Sequence, residues 1–441
     1  MAGSAGILFV EPSIGLTIRL NAMRVTHPRE QVAQLNPIGV ANRIALLDVL
    51  RGFALYGVLL GNTAVWFNGL AFLPRNERRA LSTNADELAA SLIRLFVDGK
   101  AMTLFAFLFG VGFAIQLGRA ASRGRSGVPV YLRRLAILFA IGMLHVVLLW
   151  WGDILWGYAL AGFAMVLFRR QSQRALLVWA VVFILLPQMV ATIPAVVAVF
   201  GHLPGPVNRT AFRAQVLDAL RGHDPFRLAQ MQVTQALVHV SRGPFFFIPW
   251  TLGRFLLGYV VGRSRLLHEA GAYRPLFRKL LVVALGLGSV CSVASFLAQR
   301  FRSSGGTFSL AADIGLMVPD EIGYLAVAAA YVAALALLMQ RSAWRRRLLI
   351  LAPAGQMALS NYLLQSLICT FVFYGWGLGL IGRVGPALCV PLTLAIFVVQ
   401  IVFSVGWLRR FRFGPAEWVW RSLTYGHRQP MLRPRAHVPC T

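Results

Sequence analysis

The feature that most limits this chain is a succession of ten apolar runs, near 44–62, 97–117, 134–150, 153–168, 175–199, 243–262, 280–299, 312–339, 349–374 and 386–407. Each reaches, or nearly reaches, the roughly 20 helical residues that cross about 30 Å of hydrocarbon. Backbone in lipid must satisfy its own N–H and C=O groups, so these runs are helices rather than an open sheet. The expected fold class is all-α: a polytopic membrane bundle of about ten transmembrane helices.

Composition points the same way. Hydrophobic residues make up 58% of the chain and charged ones 13%, outside the range of soluble globular proteins. A net charge of +28 would suggest nucleic acid in a soluble chain. Here the 43 basic residues, all arginine except Lys100 and Lys279, sit mainly in the short connections between apolar runs. The expected partner is therefore the lipid bilayer, not nucleic acid. On alternate sides of the runs the basic residues divide 28 to 13, with Arg51 and Arg254 inside runs, and the richer side carries both termini. That asymmetry places both termini in the cytoplasm.

Three regions follow. Residues 1–43 form a cytoplasmic N-terminal segment, partly disordered, in which Met23 is an alternative start; 44–407 is the helical bundle; 408–441 is a cytoplasmic interfacial helix and tail. In the last region tryptophans alternate with arginines, and Glu417 stands four before Arg421. Cys291, Cys369 and Cys389 fall in apolar runs and Cys440 in the tail, with no disulfide framework or metal-ligand spacing. No metal site is expected. The external stretch 201–242 carries His202, His223 and His239 and reads as a solvated loop.

Ionisable groups inside spans are costly and mark candidate sites. Between Leu135 and Phe168 the only ones are His145 and Asp153, on either side of a turn at Trp151-Gly152. At about 1.5 Å per residue His145 lies roughly 8 to 10 Å from that turn, so a hairpin brings the two together. Two readings stay open: a functional pair, or a neutral histidine satisfied by a neighbouring helix beside an aspartate that caps its own. Asp48 and Arg51, three apart in the first run, share a helical face, and Asn62 ends that run. Asp98 opens the second run. Arg254, alone in the sixth, needs an anion or carboxylate partner, for which Asp48 and a phosphate-bearing ligand are the candidates. Asn361 and Gln365, four apart in the ninth, either bond to another helix or serve a ligand.

Three blocks, LDVLRGFALYGVLLGN at 47–62, GMLHVVLLWWGDILWGYAL at 142–160, and GQMALSNYLLQS with FRFGPAEWVWRSLTYG near the C-terminus, resemble the YeiB-like family of bacterial inner-membrane proteins, a domain of unknown function. The first block is also similar to the opening helix of a superfamily of membrane acyltransferases that includes heparan-α-glucosaminide N-acetyltransferase. The shared residues are Leu47, Asp48, Arg51, Gly52 and Asn62. That enzyme's proposed catalytic histidine follows its first helix, whereas residues 63–97 here contain none. His145 is the substitute.

The resemblance implies an inner-membrane acyltransferase that takes acyl-CoA as co-substrate, with no covalently bound cofactor, acts on a glycan or small-molecule acceptor, and is compatible with a homodimer. His145, oriented by Asp153, would be the base, while Asp48, Arg51, Asn62, Asp98, Arg254, Asn361 and Gln365 would contact substrate. The alternative is a transporter or permease for a small polar or anionic solute, which buried polar residues suit equally.

Overall fold

The computed structural model describes residues 44–124, 126–190 and 209–433. The expectations for the N-terminal segment, for Met23, His202 and Cys440, and for the end of the fifth run lie outside them. The described chain is all-helical; its only β feature is an isolated bridge between Phe411 and Leu432.

The helices, in order, are α1 (Ala45–Asn62, continued by a wide turn over Thr63–Phe67), α2 (Arg75–Leu81), α3 (Asn84–Phe96), α4 (Lys100–Ala121), α5 (Val128–Leu148), α6 (Leu155–Met165), α7 (Gln173–Val190), α8 (Arg209–Arg221) and α9 (Pro225–Arg242). They continue as α10 (Phe247–Arg263), α11 (Arg274–Ser303), α12 (Leu310–Leu338), α13 (Ser342–Leu348), α14 (Ala352–Gln356), α15 (Ala358–Phe373), α16 (Pro386–Arg410) and α17 (Pro415–Tyr425).

Six segments are long and apolar enough to cross a membrane unaided: Ala45–Phe67, Asn84–Ala121, Val128–Leu148, Arg274–Arg302, Gly315–Leu338 and Pro386–Arg410. A seventh is broken, with Ser342–Gln356 and Ala358–Phe373 meeting at 78°. The protein is therefore a membrane protein. The runs at 153–168 and 243–262 become shorter helices, Leu155–Phe168 and the 17-residue α10, and the described part of the run at 175–199 lies in α7.

Small residues set how closely these helices approach, because lipid supplies no hydrophobic drive between them. A Cβ on Gly258 of α10 would meet the Phe107 carbonyl of α4 at 1.9 Å, and Phe109 stacks on Phe255 with centroids 4.5 Å apart. A Cβ on Gly355 of α14 would likewise meet the Asp48 carbonyl of α1 at 1.9 Å. α14 is held tightly against α1, and what reads as one continuous ninth run is broken just after it. Met357, at φ −107° and ψ 34°, leaves helical geometry, and α15 restarts in a new direction.

The expected external loop at 201–242 is corrected where it is described: it forms α8 and α9. Asp224 caps α9, accepting from the Phe226 and Arg227 amides. Gln232 of α9 then donates to the Leu149 carbonyl at 3.1 Å, docking α9 on the α5–α6 turn. Ahead of the second run, α3 is started by a reciprocal cap between Thr83 and Asp86.

Candidate functional site

The α5–α6 hairpin closes as its turn residues require. α5 ends after His145 in its last turn, the chain turns through Trp151-Gly152, and α6 begins with no cap from its own first residue. Asp153 supplies that cap: its Oδ2 accepts the Leu155 amide at 2.7 Å and the Trp156 amide at 3.2 Å. Its other oxygen faces the bundle. Oδ1 lies 2.9 Å from His145 Nδ1 and accepts the Tyr362 hydroxyl of α15 at 3.2 Å. The ring N–H points off the line to Oδ1, so the histidine contact is electrostatic rather than an aligned hydrogen bond.

The capping and pairing readings thus hold together, one for each carboxylate oxygen. Both side chains are buried, His145 at 1% and Asp153 at 0% exposure. The Tyr362 ring lies 5.3 Å from the imidazole. His145 Nε2 is buried and has no hydrogen-bond partner. A histidine whose Nδ1 faces a carboxylate and whose Nε2 is uncommitted has the arrangement of a general base.

A second histidine reaches the same aspartate. His239 of α9 packs edge-on against Trp156 and Trp151, with centroids 5.7 and 5.9 Å away. Burial lowers its pKa, and the Asp153 backbone and carboxylate oppose that shift. Around it further polar atoms are buried without partners: His239 Nε2, Trp156 Nε1, Gln232 Oε1 and Gln235 Nε2. The sequence reading missed these residues. His239 and Asp153 are 86 positions apart, and the signal available was the i, i+3, i+7 spacing of Gln232, Gln235 and His239, which puts one polar stripe on one face of α9.

Other sequence candidates fall into three separate places. Asn62 closes α1 at the end of the bundle that also holds the hairpin turn, where Phe67 packs tilted against Trp150 and Trp66 edge-on against Trp151. Asp98 borders a cavity between α3, α11 and α12. Asp48 and Arg51 pair at 3.1 Å near the start of α1.

One expectation is corrected. The carboxylate that partners Arg254 is Glu321, not Asp48. Its Nη2 binds Glu321 of α12, Nε donates to Thr103 at 2.9 Å, and Nη1 donates to the Trp250 carbonyl at 3.0 Å. Glu321 also accepts the Trp250 indole at 2.9 Å. With no exposure, this guanidinium joins α4, α10 and α12. Of the two readings open for Asn361 and Gln365, their amide N–H groups follow the one that bonds to another helix, while Asn361 Oδ1 is buried without a partner. Asn361 Nδ2 donates to Ser404, Gln365 Nε2 to Gln400, and Gln400 back to the Asn361 carbonyl, each at 2.9 Å, joining α15 to α16. Tyr362, the next residue along α15, is the one that reaches the dyad. Among the described residues no three His, Cys, Asp or Glu side chains gather as a metal would need.

A family model described as "Protein of unknown function (DUF418)" matches residues 261–427. The uncharacterized protein YxaH of Bacillus subtilis (strain 168) is 35% identical over 419 residues, covering 91% of this chain and 99% of that protein. The chain belongs to the DUF418 family. The uncharacterized protein YeiB of Escherichia coli (strain K12) is 29% identical, over 87% of this DUF418 chain and 96% of its own. An uncharacterized 39.9 kDa protein in the amylase 3′ region of Bacillus acidopullulyticus is 28% identical, over 90% and 98%. No solved structure matches.

Proposed function

We propose that this DUF418 protein is a group-transfer enzyme of the bacterial inner membrane that moves an acyl group from acyl-CoA to a hydroxyl or amine of a glycan or small-molecule acceptor. The observation that carries the reading is the buried His145–Asp153 pair, with Nδ1 2.9 Å from the carboxylate and Nε2 unpartnered. In the reaction Nε2 removes the acceptor proton as the acceptor oxygen or nitrogen bonds to the thioester carbon. The C–S bond then breaks, and the proton passes to the leaving thiolate. Asp153 stabilises the imidazolium that forms between these steps.

The reading includes ten membrane crossings with both termini in the cytoplasm, supported by the 28 to 13 distribution of basic residues. Under that topology the dyad lies toward the outer leaflet and the arginine-rich connections face the cytoplasmic acyl-CoA, whose phosphates they suit. Arg254 has no part in holding phosphate, because Glu321, Thr103 and the Trp250 carbonyl already occupy it.

A second reading, a transporter or permease for a small polar or anionic solute, is favoured by the 78° break at Met357, since interrupted helices often line transport sites. Purified protein in proteoliposomes separates the two. Acyl transfer or thioester hydrolysis that drops roughly 10²- to 10⁴-fold in His145→Ala and persists in Arg78→Gln, an exposed position of α2, supports the enzyme. Uptake of solute without chemical change, undiminished in His145→Ala, supports the carrier and removes the enzyme reading.

A further inference from the structure

A cavity of about 190 Å³ lies apart from the dyad, between the α3–α4 break and the facing sides of α11 and α12. Its charged lining is Arg94, Asp98, Lys100, Arg302 and Asp320, joined by Tyr324. Gly99 makes the arrangement feasible. It adopts φ +73°, and a Cβ there would meet the Tyr324 ring at 2.7 Å, so the chain can turn against that ring with Asp98 and Lys100 on either side. Lys100 is already engaged: 4% exposed, it donates to the Arg94 carbonyl and lies 4.8 Å over the Tyr324 ring. Its role is to hold the break in place. Two guanidiniums and two carboxylates then share one small space.

The second observation is Ser292. This α11 residue lines the cavity, is 8% exposed, and its hydroxyl is buried without a partner. A buried hydroxyl left unpaired costs free energy unless something in the cavity bonds to it. The volume is below the roughly 300–1,000 Å³ of pockets for drug-sized ligands, so the occupant is small. An ion of one sign would be repelled by half the lining, whereas a zwitterion satisfies both halves.

We infer that this cavity binds a phosphate ester carrying a primary ammonium, its phosphate toward Arg94 and Arg302 and its ammonium toward Asp98 and Asp320. Guanidinium forks match phosphate oxygens, and a primary ammonium donates the hydrogen bonds that carboxylates accept. The molecule is either a lipid headgroup or a free solute. α11 is the most lipid-facing of the long spans, with 22% of its apolar window buried, and Arg302 stands near its end, so the cavity has access from the bilayer surface. The inference is independent of the acyl-transfer reading, since it concerns other helices and is tested by binding alone.

Native mass spectrometry of the full chain with phosphatidylethanolamine, phosphatidylglycerol and phosphatidylcholine is the test, with soluble phosphoethanolamine in parallel by thermal unfolding. Preferential retention of phosphatidylethanolamine is expected, weakened roughly tenfold by Arg302→Gln and by Asp320→Asn. Protection by lipid alone assigns the headgroup as the source; equal protection by the solute assigns the free ester. Ser292→Ala, which removes a buried hydroxyl without a protein partner and so spares the fold, is expected to shrink the ligand-induced rise in unfolding temperature. Equal retention of all three lipids with no solute effect, or a rise left at full size in both Ser292→Ala and Asp320→Asn, overturns the proposal.

Discussion

Glu417 caps a helix to which it does not belong: its Oε1 accepts the Leu359 amide at 2.7 Å and the Ser360 amide at 3.2 Å. These are amides of the first turn of α15, whose own N-cap, Met357, has no side chain that can accept them. A carboxylate from α17 therefore stabilises the restart of the broken span and docks the C-terminal helix. Trp420 adds to the docking by donating to the Arg134 carbonyl at 2.8 Å.

Glu417→Ala leaves two amides without an acceptor and is expected to cost about 1–3 kcal/mol. The midpoint of thermal unfolding in detergent should fall, and proteolysis within 408–433 should rise. An unchanged midpoint would dismiss the cap. Burial raises the Glu417 pKa above 4.5, against the opposing pull of the Ser360 hydrogen bonds. A raised folded value means that the protonation-linked stability at Glu417, separate from the cap itself, is fully present below 4.5 and is lost as pH climbs through the folded value. Glu417→Gln should flatten that part of the profile.

His239 titrates in the opposite sense. Burial, the larger effect, lowers its pKa from 6.5 despite Asp153, so the folded state favours the neutral ring. Its contribution is present above 6.5 and is lost as pH falls through the lowered value. Protection factors of the amides in 225–242, taken against the intrinsic exchange rate at each pH, should fall on acidification below about 6.5 in the wild type and much less in His239→Asn. Identical profiles for the two proteins would contradict this.

Breaking the Arg254–Glu321 pair from one side strands a buried charge. Arg254→Met and Glu321→Leu are each expected to destabilise the bundle by about 3–5 kcal/mol, while the Arg254→Met/Glu321→Leu double variant recovers part of the loss. Additive losses in the cycle would show that the two side chains do not act as a pair.

Gly142 of α5 is one turn before His145, and a Cβ there would lie 2.5 Å from the Trp156 amide that Asp153 caps. Gly142→Ala should therefore displace Asp153 from the imidazole. Group transfer is expected to fall at least about tenfold, since misplacement by an ångström can cost roughly a hundredfold. Full activity in this variant would argue against the dyad as the reacting centre.

Much of the architecture was legible in the chain because it depends on local hydropathy and local turns. The apolar runs announce membrane helices, and Trp151-Gly152 announces the hairpin that brings His145 to Asp153 across only eight positions. The pairing of Asp48 with Arg51 needs nothing beyond helical spacing. Partners distant in sequence were not legible. Arg254 required a carboxylate, but whether Asp48 or Glu321 would provide it depended on α10 packing between α4 and α12.

The amino-acid sequence by itself determined an all-helical membrane protein with one ionisable pair at a tight turn, because burial of apolar surface and backbone self-satisfaction act within single segments. Tertiary structure decided the rest: His239 reaching Asp153 from a stretch that reads as loop, Glu417 capping α15 across 58 positions, and the break at Met357. Each is a polar group finding its partner across the bundle, and only close packing of helices determines which partner comes within reach.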